Sequence, residues 1–298
     1  MGGRLNGRVA IVTGASRGLG RAIAMAMAAE GAAVAVSART VEVWDDRLPG
    51  TIGETVAAIE AAGGRALGVR TDVLNPEERQ HLVNEVRAKL GPTTILINNA
   101  AFTTPGRPPR PGEIREPREI PRADSGAEKA PARQEWPTFL STPLSGYRRH
   151  FEMVYAAYDL SQMVAVDMIG AGFGAIVNIT SAASRMPGAG PYSSRSFGAL
   201  AGYGGSKVAL EHLTQCCAYD LQDENIAVNA LSPSKAVRTP GVAYYVKDFS
   251  NFASDSEVAE AAVRLALVDP KDVTGRIIGH LEVLDDSFRS FELSLARA

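Results

Sequence analysis

The chain has 298 residues, 45% of them hydrophobic and 21% charged, with a formal net charge of −2, which is the make-up of an ordinary soluble globular protein. So balanced a charge argues against nucleic acid as the main partner, which needs a basic face, and no apolar run reaches the roughly 18 residues of a membrane span. The length suits one large α/β sheet or two smaller domains.

The opening "MGGRLNGRVAIVTG" runs directly into a strand, without a signal-peptide segment, and Asn6 stands where a myristoylation signal prefers Ser or Thr. A cytoplasmic protein is therefore expected. Val9 to Val12 is a β-branched apolar run, the mark of a buried strand. A Gly-rich turn follows, then an Ala- and Met-rich helix from Arg21 to Glu30 that Gly31 stops. Ala32 to Ala38 is the second strand, and Thr55 to Ala62 a helix closed by Gly63 and Gly64. Ala66 to Val73 is the third strand, Pro76 to Leu90 a helix with proline at its start, and Thr94 to Ala100 the fourth strand. Strands alternating with helices predict a parallel sheet with right-handed crossovers.

The rhythm stops from Thr103 to Gly146, where repeated proline forbids regular helix or strand. An insertion this long is a lid, an oligomer contact or a disordered segment. Its large apolar residues, Trp136, Phe139 and Leu140, are candidates to dock its far end. The rhythm then resumes: helix Phe151 to Met168, strand Gly174 to Ser181, helix Tyr203 to Leu221, strand Ile226 to Pro233, helix Glu257 to Leu267 and a last strand Arg276 to Leu284. The expectation is one doubly wound parallel sheet of about seven strands with helices on both faces, in one domain over 1–298. Cys216 and Cys217 are adjacent and are expected to be buried and reduced; they cannot cage a metal alone. His81, His150, His212 and His280 lie at no metal-ligand spacing, so no metal is expected and each reads as structural or exposed.

Two stretches carry chemistry. In "TGASRGLG", between the first strand and its helix, Gly14 permits a tight turn, and Gly18 and Gly20 let a pyrophosphate approach the helix N-terminus. In "YGGSK", Tyr203 and Lys207 lie one turn apart on one helix face. A cation beside the phenol favours the phenolate and lowers the Tyr pKa, giving an acid–base group for neutral pH. The same pairing occurs between ordinary neighbours on helix surfaces.

The order "TGASRGLG", "TDV" (Thr71 to Val73), "NNA" (Asn98 to Ala100), "IVNITS" (ending at Ser181), "YGGSK" and "NALSPSKAVRTP" (ending at Pro240) resembles the short-chain dehydrogenase/reductase family over the whole chain except the insertion. The stretch from Ala38 to Leu67 also resembles a branch with hydroxysteroid-dehydrogenase-like proteins. The resemblance implies that Tyr203 is the general acid/base, that Lys207 lowers its pKa and holds the nicotinamide ribose, and that Ser181 orients the substrate oxygen. It implies that Asp72 binds the adenine edge and that Asn98 and Asn99 form a cofactor wall. It also implies cofactor contacts at Gly14, Ser16, Arg17, Gly18, Leu19, Gly20, Arg39, Val73, Ala100, Pro233, Val237 and Thr239, and a homo-oligomer, dimer or tetramer. A structural reading stands beside several of these: Ser181 as a turn cap, Asp72 as a turn carboxylate, the two asparagines as strand ends.

Two departures stand out. The family has an Asn in the helix before the serine strand that feeds a water linking the Lys to solvent; here the place is taken by Met153 or Val154. Ser181 and Tyr203 are also further apart than in the family, and Tyr192, nearer the usual distance, has Ser196 in place of a lysine. The second strand ends with Ala38 and Arg39, with Arg17 close by in sequence pattern; arginines without a carboxylate favour NADP(H) over NAD(H). Gly241 to Asp255 carries Tyr244, Tyr245, Phe249 and Phe252, aromatic surface for an apolar pocket or for packing under a loop. The expected activity is NADP(H)-dependent interconversion of a carbonyl and a secondary alcohol on a moderately apolar small molecule; the alternative is a dinucleotide-binding sensor or scaffold with weak turnover.

Overall fold

The computed structural model describes residues 3–43, 45–46, 48–102, 139, 142–191, 200–243 and 250–289. Seven parallel strands form one sheet in the order β3-β2-β1-β4-β5-β6-β7: β1 Val9–Thr13, β2 Ala33–Ala38, β3 Arg65–Arg70, β4 Ile95–Asn98, β5 Gly174–Ile179, β6 Ile226–Ser232 and β7 Ile277–Gly279. β1, β2 and β4 are buried at every position, as their unbroken apolar runs require when both faces are covered. Helices α1 (Gly18–Ala29), α2 (Ile52–Ala61) and α7 (Asp255–Leu265) cover one face; α3 (Pro76–Lys89), α4 (Leu144–Ala171) and α5 (Ala201–Leu221) cover the other.

Helix α7 packs directly on α1: Ile23, Ala24 and Met27 share one core with Val258, Ala262 and Leu265. Arg4 fastens the same pair from outside, bonding Glu30 at 2.7 Å and Glu260 at 2.8 Å. On the opposite face Arg79 of α3 reaches Asp159 of α4 at 2.5 Å. Strand order reverses between β1 and β4, so the carboxyl edge opens a crevice there, the usual ligand position in open α/β sheets.

Several boundaries differ from expectation. Helix α1 begins at Gly18, α2 at Ile52, and β3 ends at Arg70, before Thr71 to Val73. Helix α4 begins at Leu144, behind Pro143, so Leu144 to Gly146 are helical and not part of a structureless insertion. The last predicted strand is two elements: β7 stops at Gly279, whose N–H donates to Glu282 Oε2 at 3.0 Å and starts a short helix, α8 (His280–Leu284). The four-residue α6 (Pro240–Ala243) lies between β6 and α7. The cysteines are not buried: Cys216 is exposed and Cys217 half-buried, because α5 turns Leu210, Thr214 and Ala218 inward instead. Phe139 stands 80% exposed and is not docked. Trp136, Leu140, Tyr192, Tyr244, Tyr245, Phe249 and nearly all of the insertion lie outside the described residues. Among the described residues no helix is long and apolar enough to cross a membrane, and no three His, Cys, Asp or Glu side chains cluster as metal ligands would.

Candidate active site

The glycine turn sits at the carboxyl end of β1. Gly14 and Gly18 both have positive φ, +68° and +53°. Gly20 is needed for close approach: a Cβ there would stand 2.4 Å from Gly14 O and 2.5 Å from Asn99 Nδ2. Helix α1 starts behind Arg17 with no side-chain cap and no acid in its first turn. By contrast, α2 is capped by Thr51 with Glu54, α3 by Asn75 and α7 by Ser254 with Glu257. The α1 terminus thus presents its backbone donors and positive dipole end to an anion. Ser16 is buried in the turn, and Leu19 packs on the core beneath it.

Asn99 clamps this turn to β4. Its Nδ2 donates to Thr13 O at 2.8 Å, while Thr13 Oγ1 accepts from the N–H groups of Asn99 and Ala100, both at 3.0 Å. Asn98 is buried; its Nδ2 donates to Asn178 Oδ1 at 2.9 Å, and Asn178 continues to Thr214 at 2.9 Å. The asparagine side chains therefore tie β1, β4, β5 and α5 together at the crevice.

Ser181, Tyr203 and Lys207 converge from β5 and α5. Ser181 follows the end of β5; its Oγ accepts from Ala183 N at 3.2 Å as a cap, and its side chain also hydrogen-bonds the Tyr203 phenol. Lys207 is buried, donates to Ile179 O at 2.8 Å, and lies 5.7 Å from the Tyr203 ring centroid. Burial pushes the Lys207 amine down to about 8, opposed by the Glu211 carboxylate. Tyr203 moves the other way from the expectation: burial raises the phenol, and the bond with Ser181 pulls it back only in part. In the protein alone desolvation outweighs the Ser181 bond, so the resting phenol is a proton donor.

The remaining predicted contacts surround the crevice. Arg17 lies beside the end of β2, donating to Thr40 Oγ1 at 2.7 Å and to the Leu48 carbonyl; burial and the nearby Arg39 both lower its pKa. Arg39 is exposed and 3.9 Å from Asp72, which also closes a turn by accepting from Leu74 N at 3.1 Å. Val73 is buried, Pro233 half-buried after β6, and Val237 buried in a parallel bridge to Ala253. Thr239 touches the glycine turn: a Cβ on Gly18 would lie 3.3 Å from Thr239 Cβ.

Two residues at this site carried no signal in the sequence. His150 is buried against Tyr203, edge-on at 5.8 Å between centroids, and Glu211 is half-buried beside Thr180 and Ser184, on either side of Ser181, where burial pushes its carboxyl up. A lone His or Glu on a helix has no distinctive spacing; only Gly202, the bare position before Tyr203, hints that something bulky sits there.

The family model for short chain dehydrogenase matches residues 8–114 and 149–248. A 7alpha-hydroxysteroid dehydrogenase of Escherichia coli (strain K12) is 29% identical over 286 residues, covering 92% of this chain and 93% of that protein. A solved 7alpha-hydroxysteroid dehydrogenase, complexed with NADH and 7-oxo glycochenodeoxycholic acid, has a TM-score of 0.69 at 28% identity over 93% of each chain. A metagenomic short-chain oxidoreductase in complex with NADP has a TM-score of 0.65 at 23% identity, covering 93% of this chain and 97% of that one; that likeness is one of fold. The chain belongs to the short-chain dehydrogenase family. It is an oxidoreductase of carbonyls and alcohols that uses a nicotinamide dinucleotide, and the uncapped α1 terminus and close-approach glycines fit such a cofactor.

Proposed function

We propose that the protein interconverts a ketone or aldehyde and its alcohol on a moderately apolar small molecule, with NADP(H) preferred. The observation that carries this reading is the meeting of Ser181, Tyr203 and Lys207 beside the uncapped glycine turn. Bound there, the nicotinamide would supply or take the hydride. Ser181 and Tyr203 hold the substrate oxygen between them; the phenol gives or takes its proton. Lys207 holds positive charge beneath them and the ribose beside them. The apolar character of the substrate is supported by Phe102, whose ring packs 4.9 Å from His150 beside the crevice.

The NADP(H) preference rests on Arg17 and Arg39 together at the end of β2, where Ala38 supplies no carboxylate. Asp72 is the competing partner that a 2′-phosphate must draw Arg39 away from. A weakly catalytic dinucleotide sensor is the second reading, favoured by Met153 and Val154 lining the inner cavity with apolar groups. A homo-oligomer is supported by the exposed Tyr155, Tyr158, Val166 and Ile169 of α4 and Tyr219 of α5, and sedimentation tests it. Cytoplasmic location rests on the sequence alone.

The deciding experiment is a carbonyl panel with NADPH, run on the protein and on Tyr203→Phe. Turnover that falls about 10²–10⁴-fold in the variant, with NADPH binding retained, supports the enzyme reading. Tight NADPH binding with no oxidation on any carbonyl supports the sensor.

A further inference from the structure

Strands β6 and β7 pair as far as Ser232 and Gly279, and there both leave the sheet. Pro233 follows Ser232 and has no N–H, so the ladder cannot continue on that side. The next donor, the Ser234 N–H, is caught by a side chain: it donates to His280 Nδ1 at 2.8 Å. Gly279 allows the close approach, because a Cβ there would stand 2.5 Å from Ser234 Oγ. The segment that starts at this bond runs on to the cofactor crevice. Its middle is tied to the chain ahead of α7, with Ala236 O accepting from Ala253 N at 2.8 Å. Its end, Thr239, lies against Gly18 of the glycine turn.

His280 is 0% exposed. An amide N–H only donates, so Nδ1 is the bare, accepting nitrogen and the proton sits on Nε2. Nε2 is buried with no hydrogen-bond partner among the described residues. A buried donor left bare costs stability, whereas a leucine would fill the same space without that cost. The histidine therefore brings something an apolar residue does not, an acceptor aimed at Ser234. Burial holds the imidazole below its ordinary value; Lys235 of the same segment acts in the same direction and Glu257 of α7 opposes both. Of the other charged groups on the neighbouring elements, Arg264 of α7 donates to the Val283 and Leu284 carbonyls, Glu282 of α8 accepts from the Gly279 N–H, and Arg238 is exposed further along the segment.

We propose that His280 is a positioning residue for the dinucleotide: its Nδ1 latches the segment from Pro233 to Thr239 in the shape that meets the cofactor. The proposal rests on the reading of Pro233, Val237 and Thr239 as cofactor contacts. A protonated ring has a donor on both nitrogens, so it loses the Ser234 bond and releases the segment. The released ring, near its ordinary value of about 6.5, takes a proton more readily than the latched one. The latch therefore holds above that pH and weakens as pH falls below it. A dinucleotide that binds only the latched form has its Kd raised by the reciprocal of the latched fraction.

The test compares His280→Leu, which fills the space and loses the acceptor, with His280→Asn, whose Oδ1 stands in for Nδ1 and does not titrate. By fluorescence titration at pH 7.5, His280→Leu is expected to bind NADH and NADPH each about 10-fold more weakly, the loss that follows if about one molecule in ten stays latched. His280→Asn should bind both close to wild type. Between pH 7.5 and 5.5 the wild type should lose up to about 10-fold in NADH affinity, and the loss should be absent from His280→Asn. NADH serves for this arm because it lacks the titrating 2′-phosphate. Independently of any cofactor, ¹⁵N NMR of the resting protein should show His280 as the Nε2–H tautomer at pH 7.5, and the Ser234 amide should exchange faster in His280→Leu. A folded His280→Leu with wild-type affinity for both dinucleotides would overturn the proposal. So would a His280→Asn variant that keeps the low-pH loss, or an Nδ1–H tautomer. If the wild type binds neither dinucleotide, the reading of function fails, and the tautomer and the Ser234 exchange still decide the latch. If His280→Leu does not fold, the pH profile of His280→Asn and the tautomer decide.

Discussion

Replacing Lys207 by Met should make the protein more stable while removing its chemistry. Lys207 is 7% exposed, and its amine is pushed from 10.5 down to about 8, chiefly by burial. The unfolded chain therefore holds the proton more tightly than the folded one. At pH 7 both states are charged, and the folded state carries the full penalty, about 3 kcal/mol at 1.36 kcal/mol per unit. Met fills similar volume without the charge, but leaves Ile179 O without its donor, which costs about 1 kcal/mol. The net gain is about 2 kcal/mol, or a Tm higher by roughly 4–8 °C for a chain of this size. As pH rises from about 8 towards 10.5 the folded wild type loses its proton before the unfolded chain does, wild-type stability rises, and the gap closes. Differential scanning calorimetry of both proteins without cofactor, at pH 7, 8.5 and 10, measures this. A Met variant less stable than wild type at pH 7, or a gap that does not narrow with pH, refutes the reasoning.

Other substitutions test other parts of the site. Arg39→Ala should weaken NADPH roughly 10- to 100-fold and NADH little, as loss of a charge-assisted phosphate contact predicts; equal losses by fluorescence titration would remove Arg39 from a phosphate site. Gly20→Ala should cost about 1–3 kcal/mol and weaken both cofactors, because its Cβ collides with Gly14 O and the Asn99 clamp; a thermal melt unchanged from wild type would contradict that geometry. Gly202→Ala should impair catalysis in the wild type but add little in a His150→Ala background, and a double-mutant cycle with no coupling would separate the two residues.

The alternating apolar runs made the sheet legible, because β1, β2 and β4 are buried on both faces and tolerate almost nothing polar. Boundaries were less legible where side-chain capping decides them: Thr51 starts α2 earlier than its apolar pattern suggests, and Glu282 turns the end of β7 into a helix. The Ser181, Tyr203 and Lys207 trio could be read from motif order, since Tyr203 and Lys207 share a helix face. His150 could not, because its importance depends on α4 crossing α5 at Gly202, a tertiary fact. The direction of the Tyr203 shift was also hidden: sequence spacing displays the neighbouring cation, but not the burial that raises the phenol.

The packing of α7 on α1 sets a timetable for biosynthesis. Helix α1 ends at Ala29 and its cover begins at Asp255, so the ribosome must add about 230 residues before the contact can form. At about 5–20 residues per second, the apolar face of Ile23 and Met27 waits roughly 10–50 s for its partner. The nascent chain thus emerges with the α7-facing side of α1 uncovered, and an interruption of synthesis before residue 255 leaves that apolar face exposed. The ion pairs from Arg4 to Glu260 can close only after that interval, joining the earliest part of the chain to one of the last.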